Sequence, residues 1–135
     1  MMPLEVFRRV LAECRETTSV IQFYFQGEPL LNKDLPQMIR EAHEAGLYTI
    51  VSTNSQAMTP ELAEALVQSG LDRIIISMDG LSEASYNAYR IGGSLEKTKS
   101  ALQYLRAAKN QSPITNHQSP IIELQVLRLR SNEHE

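Results

Sequence analysis

The sequence predicts an α/β fold, an incomplete parallel (β/α) barrel of about four strands with helices outside. Three observations carry this. Four runs of strand character alternate with helical segments in the order α-β-α-β-α-β-α-β, and such alternation implies right-handed crossovers and a parallel sheet. The two middle runs are almost continuously apolar, as parallel strands covered on both faces are. The length of 135 residues is about half of the roughly 250 needed by a barrel of eight such units. A half barrel leaves edges unpaired, so edge-mediated homo-oligomerisation is an expected property of the chain.

Each element has its own signal. Phe7, Val10, Leu11 and Cys14 fall at i, i+3, i+4 and i+7, one face of a first helix. The aromatic-rich run Val20–Phe25 reads as the first strand. Leu35, Met38, Ile39 and Ala42 repeat the helical spacing, with Asp34 placed to cap, Pro36 in the first turn and Gly46 at the end. The second strand is Leu47–Val51. Thr59-Pro60 opens a third helix with buried stripe Leu62, Ala65 and Leu66, closed by Gly70. Arg73–Ser77 is the third strand, and Ser82 to Tyr89 a short helix. Ser94 caps a longer helix that buries Leu95, Leu102 and Leu105. The polar stretch Asn110 to Pro120 reads as a loop before the fourth strand, Ile121–Leu127. A small doubly wound sheet of flavodoxin type would satisfy the same order and is the competing architecture.

Composition narrows the function classes. Hydrophobic residues make up 42% and charged residues 21%, ordinary for a soluble domain. No apolar run approaches the roughly 18 residues of a membrane span, and no signal-peptide pattern opens the chain; a cytoplasmic protein without membrane contact is expected. The net charge is −3, from 13 Lys+Arg and 16 Asp+Glu. With no dense basic stretch, nucleic-acid binding, which draws on phosphate neutralisation, is not expected. Cys14 is the single cysteine, so neither an intrachain disulfide nor an all-cysteine metal site can be built from this chain. His43, His117 and His134 lack metal-ligand spacing.

Binding groups of parallel α/β folds collect at the C-terminal strand ends, and each strand here ends in a polar cluster. These are Gln26-Gly27-Glu28-Pro29, Ser52-Thr53-Asn54-Ser55, Ser77-Met78-Asp79-Gly80 and Arg130-Ser131-Asn132. Singly they are ordinary turn formers; together they would line one rim.

Gln26-Gly27-Glu28-Pro29-Leu30-Leu31 resembles the Gly-Gly-Glu-Pro motif of the radical S-adenosylmethionine (radical SAM) enzymes. Thr53-Asn54-Ser55 is similar to their Thr-Asn-Gly, and Ser77-Met78-Asp79-Gly80 to their Ser-Ile-Asp-Gly, in the same order and at similar intervals. Arg90, after a tyrosine-containing helix, and the closing segment from Arg130 also fit. The branch most similar often carries a C-terminal SPASM domain and modifies peptides or proteins.

The resemblance implies a partial radical SAM core over residues 1–135 and a set of cofactor-binding roles. Gly27 and Glu28 would hold the methionine amino group of S-adenosylmethionine, Pro29 would fix the turn, and Gln26 would offer its carbonyl in place of a glycine. Ser77 would contact the methionyl or ribose moiety, and Arg90 the methionine carboxylate. Thr53 and Asn54 would line the nucleoside side, and Asn132 would lie near ribose or substrate. Asp79 is either part of this site or a turn residue before Ser82. The resemblance further implies that in the intact enzyme one electron from a 4Fe-4S cluster would cleave S-adenosylmethionine to methionine and a 5′-deoxyadenosyl radical, which would abstract hydrogen from the substrate. The Cys-x3-Cys-x2-Cys loop that holds that cluster is not in this sequence. The chain is therefore expected to be a fragment starting past that loop, inactive alone and without bound cofactor. The alternatives are a non-catalytic scaffold domain derived from the fold, or another βα nucleotide-binding enzyme, although no GxGxxG or P-loop is present.

Overall fold

The computed structural model describes residues 1–112, 120–130 and 132–135. The elements follow in the order α1 (Leu4–Cys14), β1 (Val20–Gln22), a 3-10 turn (Pro29–Leu31), α2 (Leu35–Glu44), β2 (Tyr48–Thr53), α3 (Pro60–Gln68), β3 (Arg73–Ser77), α4 (Glu83–Tyr89), α5 (Leu95–Gln111) and β4 (Ile121–Gln125). All strand pairs are parallel and the order is β1-β2-β3-β4. A doubly wound sheet reverses its strand order at a switch point. The described strands run in simple succession, so the flavodoxin-type alternative is set aside in favour of the open segment of a singly wound barrel.

One layer of helices covers one face of this sheet. Val51, Ile74 and Ile76 pack with Leu35 and Ile39 of α2, Leu66 and Val67 of α3, and Ala101 and Leu105 of α5. A second cluster joins Phe7 and Leu11 of α1 to Met38, Ala42 and Leu47. Fully burying Ile74 or Ile76 contributes about 1.5–3 kcal/mol each. Strand alternation sends Ser52 and Ser77 to the opposite face. At the N-terminal end of the sheet, the Asp72 carboxylate accepts from the backbone N–H and hydroxyl of Thr49 at 2.7 and 2.9 Å, locking β2 to β3.

Several boundaries differ from the sequence reading, each for a local reason. β1 ends at Gln22 rather than Phe25; one further backbone bond joins Phe23 to Ile50, and then the chain turns away. β4 ends at Gln125 rather than Leu127, because the Leu127 N–H is taken by the Asp79 carboxylate. Asp34 makes no side-chain cap for α2; Asn32 instead accepts from the Asp34 N–H at 3.1 Å. The buried stripe of α3 is Ala63, Leu66 and Val67, one residue on from Leu62 and Ala65. Leu102 is half-buried, while α5 buries Leu95, Ala101 and Leu105. Val10 is exposed and Cys14 half-buried; both line an open groove of about 490 Å³ along β1. Of the expected 110–120 loop, Asn110 and Gln111 belong to α5, and residues 113–119, His117 among them, lie outside the described residues, as does Ser131.

Candidate functional site

The ends of β1, β2 and β3 meet at a cleft of about 170 Å³. Gly27, Glu28, Thr53, Asn54, Ser77 and Arg90 line it, together with Tyr24, Phe25 and Ser52. Six of the ten residues singled out in the sequence therefore share one concavity at the C-terminal end of the sheet.

Glu28 is its organising group. Gly27 takes φ +79°, a left-handed conformation open to glycine, and so returns the chain toward β2. Gln26 stands where the family motif has its other glycine, but the left-handed residue is Gly27, so the substitution carries no backbone strain. Pro29 opens the 3-10 turn behind it, and the Glu28 carboxylate accepts the Leu30 N–H at 3.1 Å. The same carboxylate reaches across to β2, accepting the Thr53 hydroxyl at 2.5 Å and the Asn54 N–H at 2.9 Å. A carboxylate has about four lone-pair sites. Three are used, which leaves one for a donor in the cleft.

The loop after Thr53 is held tightly. Ser55, at the position of the family's glycine, has φ +61°. That conformation costs a non-glycine residue about 1–2 kcal/mol. The Ser55 hydroxyl bonds the Asn54 carbonyl at 2.6 Å and Thr98 Oγ1 at 3.2 Å, and its N–H bonds Thr53 Oγ1 at 2.8 Å. Asn54 turns Oδ1 back onto the Gln56 N–H at 3.0 Å.

Arg90 caps the C-terminus of α4. Its Nε and Nη2 donate to Oδ2 of Asp79 at 2.7 and 2.6 Å. Asp79 is 1% exposed and does not line the cleft; it sits behind Arg90 and aims it. The other Asp79 oxygen accepts the Leu127 N–H at 2.8 Å. Arg90 keeps three of its five donors. Asn132 is also buried away from the cleft. Its amide NH2 donates to the Asp79 carbonyl at 3.0 Å and the Leu127 carbonyl at 2.7 Å, while its Oδ1 accepts from Leu129 at 2.6 Å. Gln26 and Pro29 line the apolar groove beside β1 rather than the cleft.

Ser52 lines the cleft as its place in the strand-end cluster Ser52–Ser55 suggests, although the family resemblance gives it no role; Tyr24 and Phe25 are not legible as site residues in the sequence. Phe25 is 93% exposed at the mouth of both cavities, and nothing in its strand-like surroundings separates it from the core aromatics.

Residues 1–118 match the family model described as the Radical SAM superfamily. The chain belongs to the radical SAM superfamily. An AdoMet-dependent heme synthase of Methanosarcina barkeri is 34% identical over 83 residues, 61% of this chain and 24% of that protein. A PqqA peptide cyclase of Rhodopseudomonas palustris is 41% identical over 88 residues, 64% of this chain and 22% of its own length. Among solved structures, archaeal TYW1 superposes with a TM-score of 0.63 at 19% identity, over 96% of this chain and 48% of that one. BtrN in complex with AdoMet and 2-DOIA superposes with a TM-score of 0.55 at 17% identity, over 92% and 44%. These two likenesses concern the fold. The chain spans about a quarter of the length of the curated relatives first named.

Intact radical SAM enzymes use S-adenosylmethionine and a 4Fe-4S cluster. The cleft fits the amino-acid end of the former, for it offers a carboxylate with a spare acceptor site and a guanidinium with unspent donors. The residues present do not fit the cluster. Cys14 is the one thiol, on α1 with its Sγ 3.9 Å from the Leu11 carbonyl oxygen. Among the described residues, no group of three or more His, Cys, Asp or Glu side chains could hold a metal ion. Nor is any helix among them long and apolar enough to cross a membrane.

Proposed function

We propose that this chain forms the wall of a radical SAM enzyme that grips the methionine end of S-adenosylmethionine. The single observation behind this reading is that Glu28 and Arg90, oppositely charged and each held by its own direct partners, line one cleft together with Ser77. A zwitterionic amino acid suits that pair. Its ammonium has three donors for the remaining Glu28 lone pair and nearby carbonyls, and its carboxylate is planar, as the guanidinium fork requires. Ser52 and Ser77 also line the cleft. The radical chemistry belongs to the cofactor, and the protein's part is binding, orientation and shielding. The whole enzyme would cleave S-adenosylmethionine reductively and abstract hydrogen from its substrate. A peptide is the substrate class we assign, supported by a PqqA peptide cyclase of Granulibacter bethesdensis that is 33% identical over 82% of this chain. A cytoplasmic setting goes with this reading.

Equilibrium dialysis tests the cleft directly. The chain is expected to bind S-adenosylmethionine weakly, with methionine competing and 5′-methylthioadenosine, which lacks the amino-acid end, competing poorly. Arg90→Lys keeps the charge and loses the fork, so it should weaken binding several-fold. Equal competition by the two fragments, or unchanged affinity in the Arg90→Lys chain, would refute the assignment.

A further inference from the structure

Behind the cleft lies a polar side chain that none of the family motifs includes. Gln56 follows the Thr53-Asn54-Ser55 turn and is half-buried between that turn and the start of α5. Its Nε2 is 3.2 Å from the Asn54 carbonyl, 3.2 Å from the Ser94 carbonyl, 3.1 Å from the Tyr86 hydroxyl and 3.2 Å from Thr98 Oγ1. Its Oε1 accepts the Ser94 N–H at 2.9 Å. An amide NH2 has two hydrogens for these four oxygens. The carbonyls can only accept, whereas the Tyr86 and Thr98 hydroxyls also bond each other at 3.2 Å. The two hydrogens are therefore best used on Asn54 and Ser94. Tyr86 and Thr98 are fully buried, so water cannot replace Gln56 on that side.

The connections on either side give this amide its meaning. Asn54 is the residue whose N–H is fixed by Glu28 at 2.9 Å; Gln56 fixes its carbonyl, so both flanking peptides are pinned. On the far side, the Tyr86 carbonyl accepts the Arg90 N–H at 2.8 Å, and Ser94 lies four residues beyond Arg90. One side chain thus joins the turn that meets Glu28 to the segment that carries Arg90.

We propose that Gln56 is a positioning residue that sets the separation of the Glu28 and Arg90 walls of the cleft, and through it the fit of the bound amino-acid end. The inference rests on the reading of that cleft as the S-adenosylmethionine site. It touches no ligand itself. Its donor half holds the Asn54 turn and its acceptor half holds the first turn of α5.

Two variants separate these halves. Gln56→Met has similar length and neither donor nor acceptor. Gln56→Glu keeps an acceptor for the Ser94 N–H and loses the donors. In Gln56→Met, amide hydrogen exchange at Asn54 and Ser55 should speed up at least tenfold, the Arg90 Nε–H resonance should move, and affinity for S-adenosylmethionine should fall five- to tenfold. Exchange at Ile75 in β3 should change less than twofold. Gln56→Glu should show the same acceleration at Asn54 while keeping the Lys97 N–H protected by its Ser94 cap. A uniform acceleration that includes Ile75 would make Gln56 a mere stability residue and overturn the proposal. So would wild-type exchange at Asn54 with an unmoved Arg90 resonance. Failure of the unmodified chain to bind S-adenosylmethionine would count against the ligand reading. The exchange and Arg90 measurements would still decide whether Gln56 sets the cleft.

Discussion

Glu28→Ala is the sharpest perturbation of the cleft. The substitution removes the acceptor for three donors: Leu30 N–H, Thr53 hydroxyl and Asn54 N–H. Hydrogen bonds to a charged acceptor are worth about 1.5–3 kcal/mol each. Glu28 is half-buried, so water recovers part of the loss. Counting the two bonds that cross to β2 at the low end gives a destabilisation of about 3 kcal/mol. For a chain of this size that lowers Tm by roughly 12 °C. Urea unfolding followed by circular dichroism measures it, with the midpoint falling and the slope unchanged. Glu28→Gln keeps an oxygen for the Thr53 hydroxyl and turns an NH2 toward the Asn54 N–H, so its loss should be intermediate. A double-mutant cycle with Thr53→Val should return a coupling of about 1 kcal/mol. A Glu28→Ala loss below about 0.5 kcal/mol, the range of an ordinary surface change, would refute the argument that this carboxylate ties the two strand ends together.

Further outcomes follow from other contacts. A Cβ at Gly80 would lie 2.6 Å from Ser85 Oγ and 2.7 Å from the Ser85 carbonyl carbon, and backbone cannot yield. Gly80→Ala should therefore cost about 2–3 kcal/mol in urea unfolding. The Glu135 carboxylate accepts from the Leu81 N–H and the hydroxyls of Ser85 and Ser82, which holds its pKa below the ordinary value of 4.5; Arg8 does the same for Glu41. Both contributions are present above pH 4.5 and are lost as pH falls through the lowered folded-state values, so stability should be level near neutrality and decline on the acid side in a pH series of melts. The β4 edge exposes Ile121 and Leu124, and light scattering should show concentration-dependent association that Leu124→Lys reduces. Anaerobic iron–sulfide reconstitution of this chain should leave no stable 4Fe-4S absorbance band; a persistent band would show that it can hold a cluster.

The parallel order of strands and helices was legible because period and punctuation agreed along most of the chain. Thr59 and Ser94 each cap a helix as expected, and Ser82, at the expected start of the short helix, caps it too. Val20–Phe25 shows where such reading stops. Strand propensity measures fit to a pleated surface, and Phe23, Tyr24 and Phe25 fit one well. Beyond Phe23 the chain leaves β2 because Gly27 and Glu28 must swing across to Thr53 and Asn54, a tertiary demand that no local window contains. Val10 was placed on the correct helical face, but periodicity gives direction and not cover, and that face opens on the groove beside β1.

The site divides in the same way. That Glu28, Asn54, Ser77 and Arg90 would share one rim was legible because each lies at a strand end or helix end of a parallel α/β order. Asp79 lies in the Ser77–Gly80 motif and Asn132 in the closing segment, yet both are buried behind the cleft, Asp79 bonding Arg90 and Leu127 and Asn132 bonding Asp79, Leu127 and Leu129. A motif shows that a residue belongs to the neighbourhood; only the packing shows which side of the wall it faces. Gln56 had no motif at all, and apart from Asn54 its partners lie 30 to 42 residues away in sequence.

The central claim is that the cleft between Glu28 and Arg90 holds the amino-acid end of S-adenosylmethionine. A titration of the isotopically labelled chain with S-adenosylmethionine, followed by two-dimensional nitrogen–proton NMR, tests it most directly. Saturable shifts are expected at Glu28, Asn54, Ser77 and the Arg90 Nε–H, reproduced in part by methionine. Shifts confined to the groove beside β1, or none at the Arg90 Nε–H, would contradict it.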